Sequence, residues 1–213
     1  MREDVTMTNW ILVRAVALTL GIAMLFSVGC AGRSRPARFY VLSPIASSVA
    51  ETTNISGFSQ KIVIGISPVT LPKYLRKSQI VTRTGSNELH LAEYDRWAGK
   101  IEEDIGRVIT ENLGHILGTD KVVSSASMVP IDLDYTIKID IIRFDGRLGG
   151  DLELFAQWTI FDNQDKALNG IETSHIIEPT AGSSFTDMVA AQSRALYGFS
   201  REMADVIKKL TGS

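Results

Sequence analysis

Residues 131–162 read IDLDYTIKIDIIRFDGRLGGDLELFAQWTIFD, and this pattern predicts the central strands of the fold. Both halves alternate apolar and polar residues, which is typical of β-strands with one buried face and one face in water. The pair Gly149 and Gly150 between the halves predicts the turn of an antiparallel hairpin. The apolar residue Ile142 breaks the alternation, so we expect a β-bulge near Arg143. The residues expected on the buried face are Tyr135, Ile137, Ile139, Ile141, Leu152, Leu154, Ala156, Trp158 and Ile160.

Shorter strands are predicted on both sides of this hairpin. The run KIVIGISPVTL at residues 61–71 begins with consecutive apolar residues, which is typical of a strand covered on both faces. Residues 78–83 and 88–92 predict a second hairpin, because the turn-forming residues 85–87 lie between them. Further strands are predicted at 38–42, 121–124 and 170–178.

Two long segments place apolar residues every three to four positions, which predicts helices. The first covers residues 97–117, with Asp95 as the expected N-cap. The second covers residues 185–210, where Ser184 and Asp187 resemble a capping box. Together, the elements predict the α/β class: a single compact domain with a mixed, mostly antiparallel sheet and two long helices packed on it.

The first 30 residues predict an export signal with lipid attachment. Fifteen uncharged residues, 15–29, follow Arg14. That length suits the apolar core of a secretory signal, whereas a spanning helix needs about 20 apolar residues. An uncleaved anchor extending back to Trp10 stays open, since Arg14 would snorkel to the interface. Cys30 closes the run Ser27-Val28-Gly29-Cys30, which resembles a bacterial lipobox, where the cysteine thiol accepts diacylglycerol.

The expected segments are a lipoprotein signal peptide at 1–29, a lipidated tether at 30–38 and the folded domain at 39–213. Arg33 and Arg35 lie in the tether, which we interpret as a solvated linker. Their attraction to anionic headgroups contributes about 1 kcal/mol per residue at best. Ala31 rather than aspartate follows Cys30, which resembles the pattern of Gram-negative lipoproteins sorted to the outer membrane. The expected location is therefore the periplasmic face of that membrane.

The composition excludes several classes of function. With 45% hydrophobic and 22% charged residues among 213, the chain has the balance of a globular protein rather than a disordered one. The formal net charge of -2 argues against a dedicated nucleic-acid binder. Three histidines and one cysteine leave little material for a metal site or a disulfide framework.

No catalytic, cofactor-binding or metal-binding pattern stands out in the sequence, and we expect the protein not to be an enzyme. The glycine-rich run 145–151 is interpreted as a hairpin loop, because a phosphate cradle normally opens a helix. Phe39 and Tyr40 are interpreted as core residues, with an interface role as the alternative. The carboxylates interpreted as solvated charges are Glu102, Glu103, Asp104, Asp140 and Asp145. The histidines interpreted as scattered structural or surface residues are His90, His115 and His175.

Four stretches carry a family resemblance, and their order and spacing cover nearly all of the expected mature chain. They are the lipobox with residues 39–42, the run 64–75, the segments 79–83, 87–89, 96–98 and 111–113, and the strands 137–144 and 154–162. In this combination the chain resembles the ABC-type transport auxiliary lipoprotein family (PqiC/YmbA-like).

The resemblance implies a non-catalytic component of an Mce/ABC-type intermembrane lipid transport system. The implied partners are an Mce-domain protein with its permease, and outer-membrane lipid through acylated Cys30. A homo-oligomer is left open by the resemblance. An envelope structural or assembly lipoprotein that moves no lipid, and a lipid carrier with its own cavity, remain alternative functions.

Overall fold

The computed structural model describes Arg14, Leu18 and residues 35–45, 61–124 and 131–212. Contacts divide the chain into two compact units, Met1–Pro36 and Ala37–Ser213. In the first unit, Arg14 and Leu18 are helical. The predicted signal peptide, apart from these two residues, lies outside the described residues. Within the described part of the chain, no helix combines the length and the apolar character needed to cross a bilayer.

The second unit holds eight strands and two helices among the described residues. The strands are β1 (Arg38–Tyr40), β2 (Ile64–Ile66), β3 (Gln79–Arg83), β4 (Leu89–Trp97), β5 (Val122–Ser124), β6 (Tyr135–Gly146), β7 (Asp151–Asp162) and β8 (Glu172–Pro179). The helices are α1 (Ile101–Leu117) and α2 (Phe185–Thr211).

The strands form two mixed sheets. The larger has the order β5-β2-β6-β7-β8, and the smaller has the order β1-β4-β3. β2 runs parallel to both β5 and β6, while β6, β7 and β8 are antiparallel. In the smaller sheet β1 is parallel to β4, and β3 is antiparallel to β4. All three residues of β2 are buried, as the apolar run predicts. A single compact α/β domain with two long helices is confirmed.

The β6–β7 hairpin dominates the larger sheet, as the opening stretch predicts. Its register shifts between Ile141 and Arg143, which confirms the expected bulge. The buried face packs against the helices, and Trp158 meets Phe199 of α2 edge-to-face with ring centroids 6.4 Å apart. The core therefore lies between this sheet and the two helices.

Both helix N-termini were predicted, and one prediction is wrong. α1 begins at Ile101 with Lys100 as N-cap, so Asp95 does not cap it. Trp97 is the last residue of β4, where its N–H donates to Ser78 O at 2.7 Å. By contrast, Ser184 and Asp187 form the predicted capping box at the start of α2.

Candidate functional site

The structure places the predicted site residues as follows. Cys30, the expected lipid attachment residue, lies outside the described residues. His90, His115 and His175 lie on β4, α1 and β8, respectively. Among the described residues, no three histidine, cysteine or acidic side chains are grouped as a metal site would need.

Asp145 contradicts our interpretation of a solvated carboxylate, because its side chain is 0% exposed. It lies opposite Glu153 on the hairpin face that points away from the helices. Arg83 of β3 covers it and donates from Nε to Oδ1. Tyr74 donates its hydroxyl to Oδ2 at 2.6 Å, and Arg143 donates from Nε to Oδ1 at 3.3 Å. We call these four residues, Tyr74, Arg83, Arg143 and Asp145, the Asp145 cluster.

The cluster continues across the sheet through a row of polar contacts. Arg143 also forms an ion pair with Glu153 of β7. Glu153 in turn lies 2.9 Å from Nε2 of His175 on β8. His175 packs edge-to-face on Phe155, with centroids 5.7 Å apart. Side chains from β3, β6, β7 and β8 are thereby joined at one end of the larger sheet.

The environment of the cluster keeps Tyr74 in its protonated form. Burial, assisted by the hydrogen bond to Asp145, raises the pKa of Tyr74 to about 12. The hydrogen bond to Asp145 likewise raises the pKa of Arg83. Tyr74 is therefore a fixed donor and Arg83 a fixed cation, which suits a structural network.

A cleft of about 520 Å³ opens beside the cluster, between the β3–β4 turn and the β6–β7 turn. Arg83 ties the first turn to the cluster, since its Nη1 donates to Ser86 O at 3.0 Å. A Cβ at Gly146 would lie 2.3 Å from Asp151 O, so this close approach of the strands requires glycine. The run 145–151 is a strand end and hairpin loop, as predicted. We call the space the charged cleft; its lining residues are Arg83, Gly85, Ser86, Arg143, Gly146, Arg147, Gly150, Asp151, Glu153 and Ile177.

A second concavity, of about 510 Å³, is largely apolar and lies between residues 39–45 and the first turns of α2. Phe39 is 67% exposed and Val41 is 55% exposed, so the interpretation of Phe39 as a core residue is wrong. Tyr40 also lines this concavity, and its hydroxyl donates to Asp95 at 2.7 Å. We call this the apolar groove; its apolar lining includes Phe39, Val41, Pro44, Ile45, Val189 and Ala190.

Residues 43–45 form one wall of the groove, and residues 42–45 are held by side chains from both helices. Leu42 N donates to Asp104 Oδ2 at 2.6 Å, and Ile45 N donates to Asn112 Oδ1 at 3.1 Å. From α2, Ser193 Oγ accepts from Ser43 N at 3.2 Å. Asp104 also pairs with Arg107, so it is a structural carboxylate rather than the freely solvated one expected.

Sequence reasoning missed Tyr74 and Arg83. They lie 71 and 62 residues from Asp145, respectively. Neither residue belongs to the apolar pattern of its segment, so only their approach to Asp145 in three dimensions identifies them as site residues.

Comparison with known proteins shows a match to one protein family. The model of the ABC-type transport auxiliary lipoprotein component matches residues 40–204. The chain is also similar to the Intermembrane transport lipoprotein PqiC of Escherichia coli (strain K12). That similarity is 24% identity over 139 residues, which is 65% of this chain and 71% of the relative.

Two crystal structures share the fold. One, of an uncharacterised protein, has a TM-score of 0.66 at 18% identity and covers 81% of this chain and 99% of its own. The other, protein XCC0632 from Xanthomonas campestris, has a TM-score of 0.62 at 14% identity and covers 79% of this chain and 93% of its own.

Proposed function

The chain belongs to the ABC-type transport auxiliary lipoprotein family, and from this membership we propose that it docks an intermembrane lipid transport system at the outer membrane. The proposed partners are an Mce-domain protein and its permease. The protein itself is a non-catalytic component. The observation that carries the proposal is the family match, which spans residues 40–204 and thus nearly the whole folded unit.

In this proposal, acylation of Cys30 anchors the protein to the membrane. Cleavage after residue 29 would leave Cys30 as the first residue, and two or three acyl chains, palmitate among them, make a stable anchor. Residues 30–38 would then connect the anchor to the domain on the periplasmic face of the outer membrane. The similarity to a lipoprotein named for intermembrane transport supports this arrangement.

The charged cleft is the surface that we assign to the transport partner. Its two turns are tied to a buried ion cluster, so they are held in place before a partner arrives, which lowers the entropic cost of binding. Arg147 and Asp151 present opposite charges at its rim. A polar, charged rim favours specific and reversible protein contacts over lipid uptake.

The chemistry of the cleft agrees with a docking role. Arg83 and Arg143 hold Asp145, and Arg143 and His175 hold Glu153. Asp145 and Glu153 thus serve to orient the two turns.

Crosslinking in intact envelopes tests the proposal. The anchored protein is crosslinked, purified by affinity and compared with a Cys30→Ala variant. We expect an Mce-domain protein and its permease to be recovered with the wild type and reduced in the variant. Recovery of only porins, cell-wall or assembly factors would contradict lipid transport and favour the structural role.

A matched pair of surface variants then tests the assigned surface. Arg147→Glu reverses a charge on the exposed rim of the charged cleft, whereas Lys100→Glu reverses one on the exposed start of α1. We expect only Arg147→Glu to reduce recovery of the Mce-domain protein. An equal recovery of the Mce-domain protein with both variants would show that the partner binds another surface.

A further inference from the structure

The apolar side chains of Phe39 and Val41 are exposed to solvent at the point where the tether joins the domain. They are 67% and 55% exposed, respectively, although the core residue Leu42 directly follows them and is 1% exposed. Their spacing of two residues places them on the same side of an extended segment. Such adjacent exposure of large apolar groups favours a contact with a partner surface.

The segment is anchored firmly enough to present these side chains. β1 pairs with the end of β4, with Phe39 opposite Arg96 and Tyr40 opposite Trp97. Beyond β1, Leu42 N donates to Asp104 of α1, and Arg107 Nη2 donates back to Leu42 O at 2.7 Å. Phe39 and Val41 therefore remain outside while the backbone between and after them is fixed.

The neighbouring face of α2 continues the apolar surface. Val189 and Ala190 line the groove beside Phe39 and Val41. Arg194 stands at its edge, where it pairs with Glu178 and donates from Nη2 to Pro179 O at 2.6 Å. The groove is thus apolar at its centre and polar at its edge, as a surface that enters a lipid interface should be.

The length of the tether determines what this surface can meet. Phe39 is nine residues after Cys30 in the chain. Nine extended residues reach at most about 30 Å, and a coiled tether is shorter. An acylated Cys30 would keep Phe39 continuously within that distance of the bilayer, at a high effective concentration of lipid.

The charges around the tether agree with a lipid partner. Arg33 and Arg35 lie between Cys30 and β1 in the sequence. Arg38 is 62% exposed at its side chain and pairs with Asp95. Basic residues beside exposed apolar ones are typical of proteins that contact anionic membrane surfaces.

We propose that the apolar groove docks on the surface of the bilayer that holds the anchor, with Phe39 and Val41 inserted at the boundary of headgroups and acyl chains. The inference rests on the proposed acylation of Cys30. It goes beyond a flexible tether, because docking would orient the domain on the membrane and leave the charged cleft to a protein partner.

Site-specific fluorescence tests this contact in the full-length exported protein. Cys30 is the only cysteine in the sequence, so Phe39→Cys and Val41→Cys each introduce one free thiol when Cys30 is acylated. The matched control is Ile171→Cys, because Ile171 is also apolar and is 74% exposed. Ile171 lies just before the first residue of β8, whereas Arg194 at the edge of the groove contacts Pro179, the last residue of β8. Each variant is labelled with an environment-sensitive fluorophore and reconstituted in nanodiscs of phosphatidylethanolamine and phosphatidylglycerol.

We expect a blue shift at positions 39 and 41, and at least twofold stronger quenching by spin-labelled lipid than at position 171. Equal, water-like signals at all three positions would overturn the membrane contact. Protection from aqueous iodide at 39 and 41 without quenching by spin-labelled lipid would also overturn it, in favour of a protein occupant.

Intact mass of the same samples separates this inference from the proposed function. Acylated protein with water-like signals at positions 39 and 41 would overturn the docking surface and leave the anchor standing. Protein without acyl chains would overturn the anchor itself, and the inference with it.

Discussion

Asp145 of β6 and Arg83 of β3 form an ion pair across 62 residues of sequence, and the carboxylate is fully buried. The pair joins the two sheets at the end where the β3–β4 and β6–β7 turns border the charged cleft. Burying two charges is costly unless they are paired and hydrogen-bonded, and Tyr74 and Arg143 complete that requirement for Asp145. The stability of the cleft therefore depends on a few identifiable contacts.

Arg83→Met should lower the free energy of unfolding by about 3 kcal/mol, because it leaves a buried carboxylate without its closest cation. Arg143 and Tyr74 remain, so the loss should lie at the low end of the range for broken buried pairs. Urea denaturation measures it. The control is Arg147→Met, which removes an exposed arginine of the same cleft that forms no ion pair among the described residues. An equal loss in both variants would contradict the role of the Arg83–Asp145 pair.

Tyr74→Phe should lower the free energy of unfolding by about 2 kcal/mol, because it removes a hydrogen bond to a charged, buried group. Thermal or urea unfolding measures the change. Tyr197→Phe is the matched control, since no hydrogen bond of the Tyr197 hydroxyl is found among the described residues, and its effect should stay within about 0.5 kcal/mol. An unchanged free energy of unfolding in Tyr74→Phe would show that Asp145 does not need the hydrogen bond from the Tyr74 hydroxyl.

The stability of the wild-type domain should fall at high pH through Tyr74. The pKa of Tyr74 rises from 10.0 to about 12 in the folded state, so folding favours the protonated phenol. That contribution is fully present below pH 10 and is lost as the pH rises toward 12. Urea midpoints measured from pH 9 to 12 should decline more steeply for the wild type than for Tyr74→Phe. Parallel curves would argue against a shifted pKa.

Ser184→Ala should lower the free energy of unfolding by about 1 kcal/mol, because it removes the capping box of α2. Ser184 Oγ accepts from Asp187 N at 3.1 Å, and Asp187 Oδ2 accepts from Ser184 N at 3.1 Å. Ser183→Ala changes the neighbouring exposed serine and should have little effect. Indistinguishable unfolding curves for the two variants would argue against the cap.

Gly146→Ala should destabilise the β6–β7 hairpin by about 1–3 kcal/mol, because the added methyl group would collide with the backbone of β7. The nearest atoms would be Asp151 O at 2.3 Å and Leu152 Cα at 2.6 Å. Gly99→Ala is the control, since a Cβ there meets no atom within 4 Å. Thermal unfolding compares the stability of the two variants. An unchanged stability of Gly146→Ala would show that β6 and β7 can move apart at little cost.

The boundary between β4 and α1 shows where sequence reasoning goes wrong. Trp97 lies four residues before Ile101, so the apolar spacing of the helix continues back to Trp97 and predicts a helix that begins there. In the structure Trp97 is instead the last residue of strand β4. The sequence pattern predicts Asp95 as a cap, yet its carboxylate accepts from Tyr40 and pairs with Arg38. A local pattern cannot distinguish these uses, because the residues that satisfy Asp95 lie more than 50 positions away.

Sequence patterns were enough to predict the β6–β7 hairpin with its bulge, the buried strand β2, the cap of α2 and the family resemblance. The hairpin, its bulge and the cap depend on periodicity and on contacts between near neighbours in the chain. Strand β2 shows as a continuous apolar run, and the resemblance rests on the order and spacing of short motifs. The burial of Asp145 and the exposure of Phe39 become visible only in the folded chain. The physical reason is that the burial of a side chain depends on what packs over it: Tyr74 and Arg83 cover Asp145 from a distant part of the chain, whereas no described element covers Phe39.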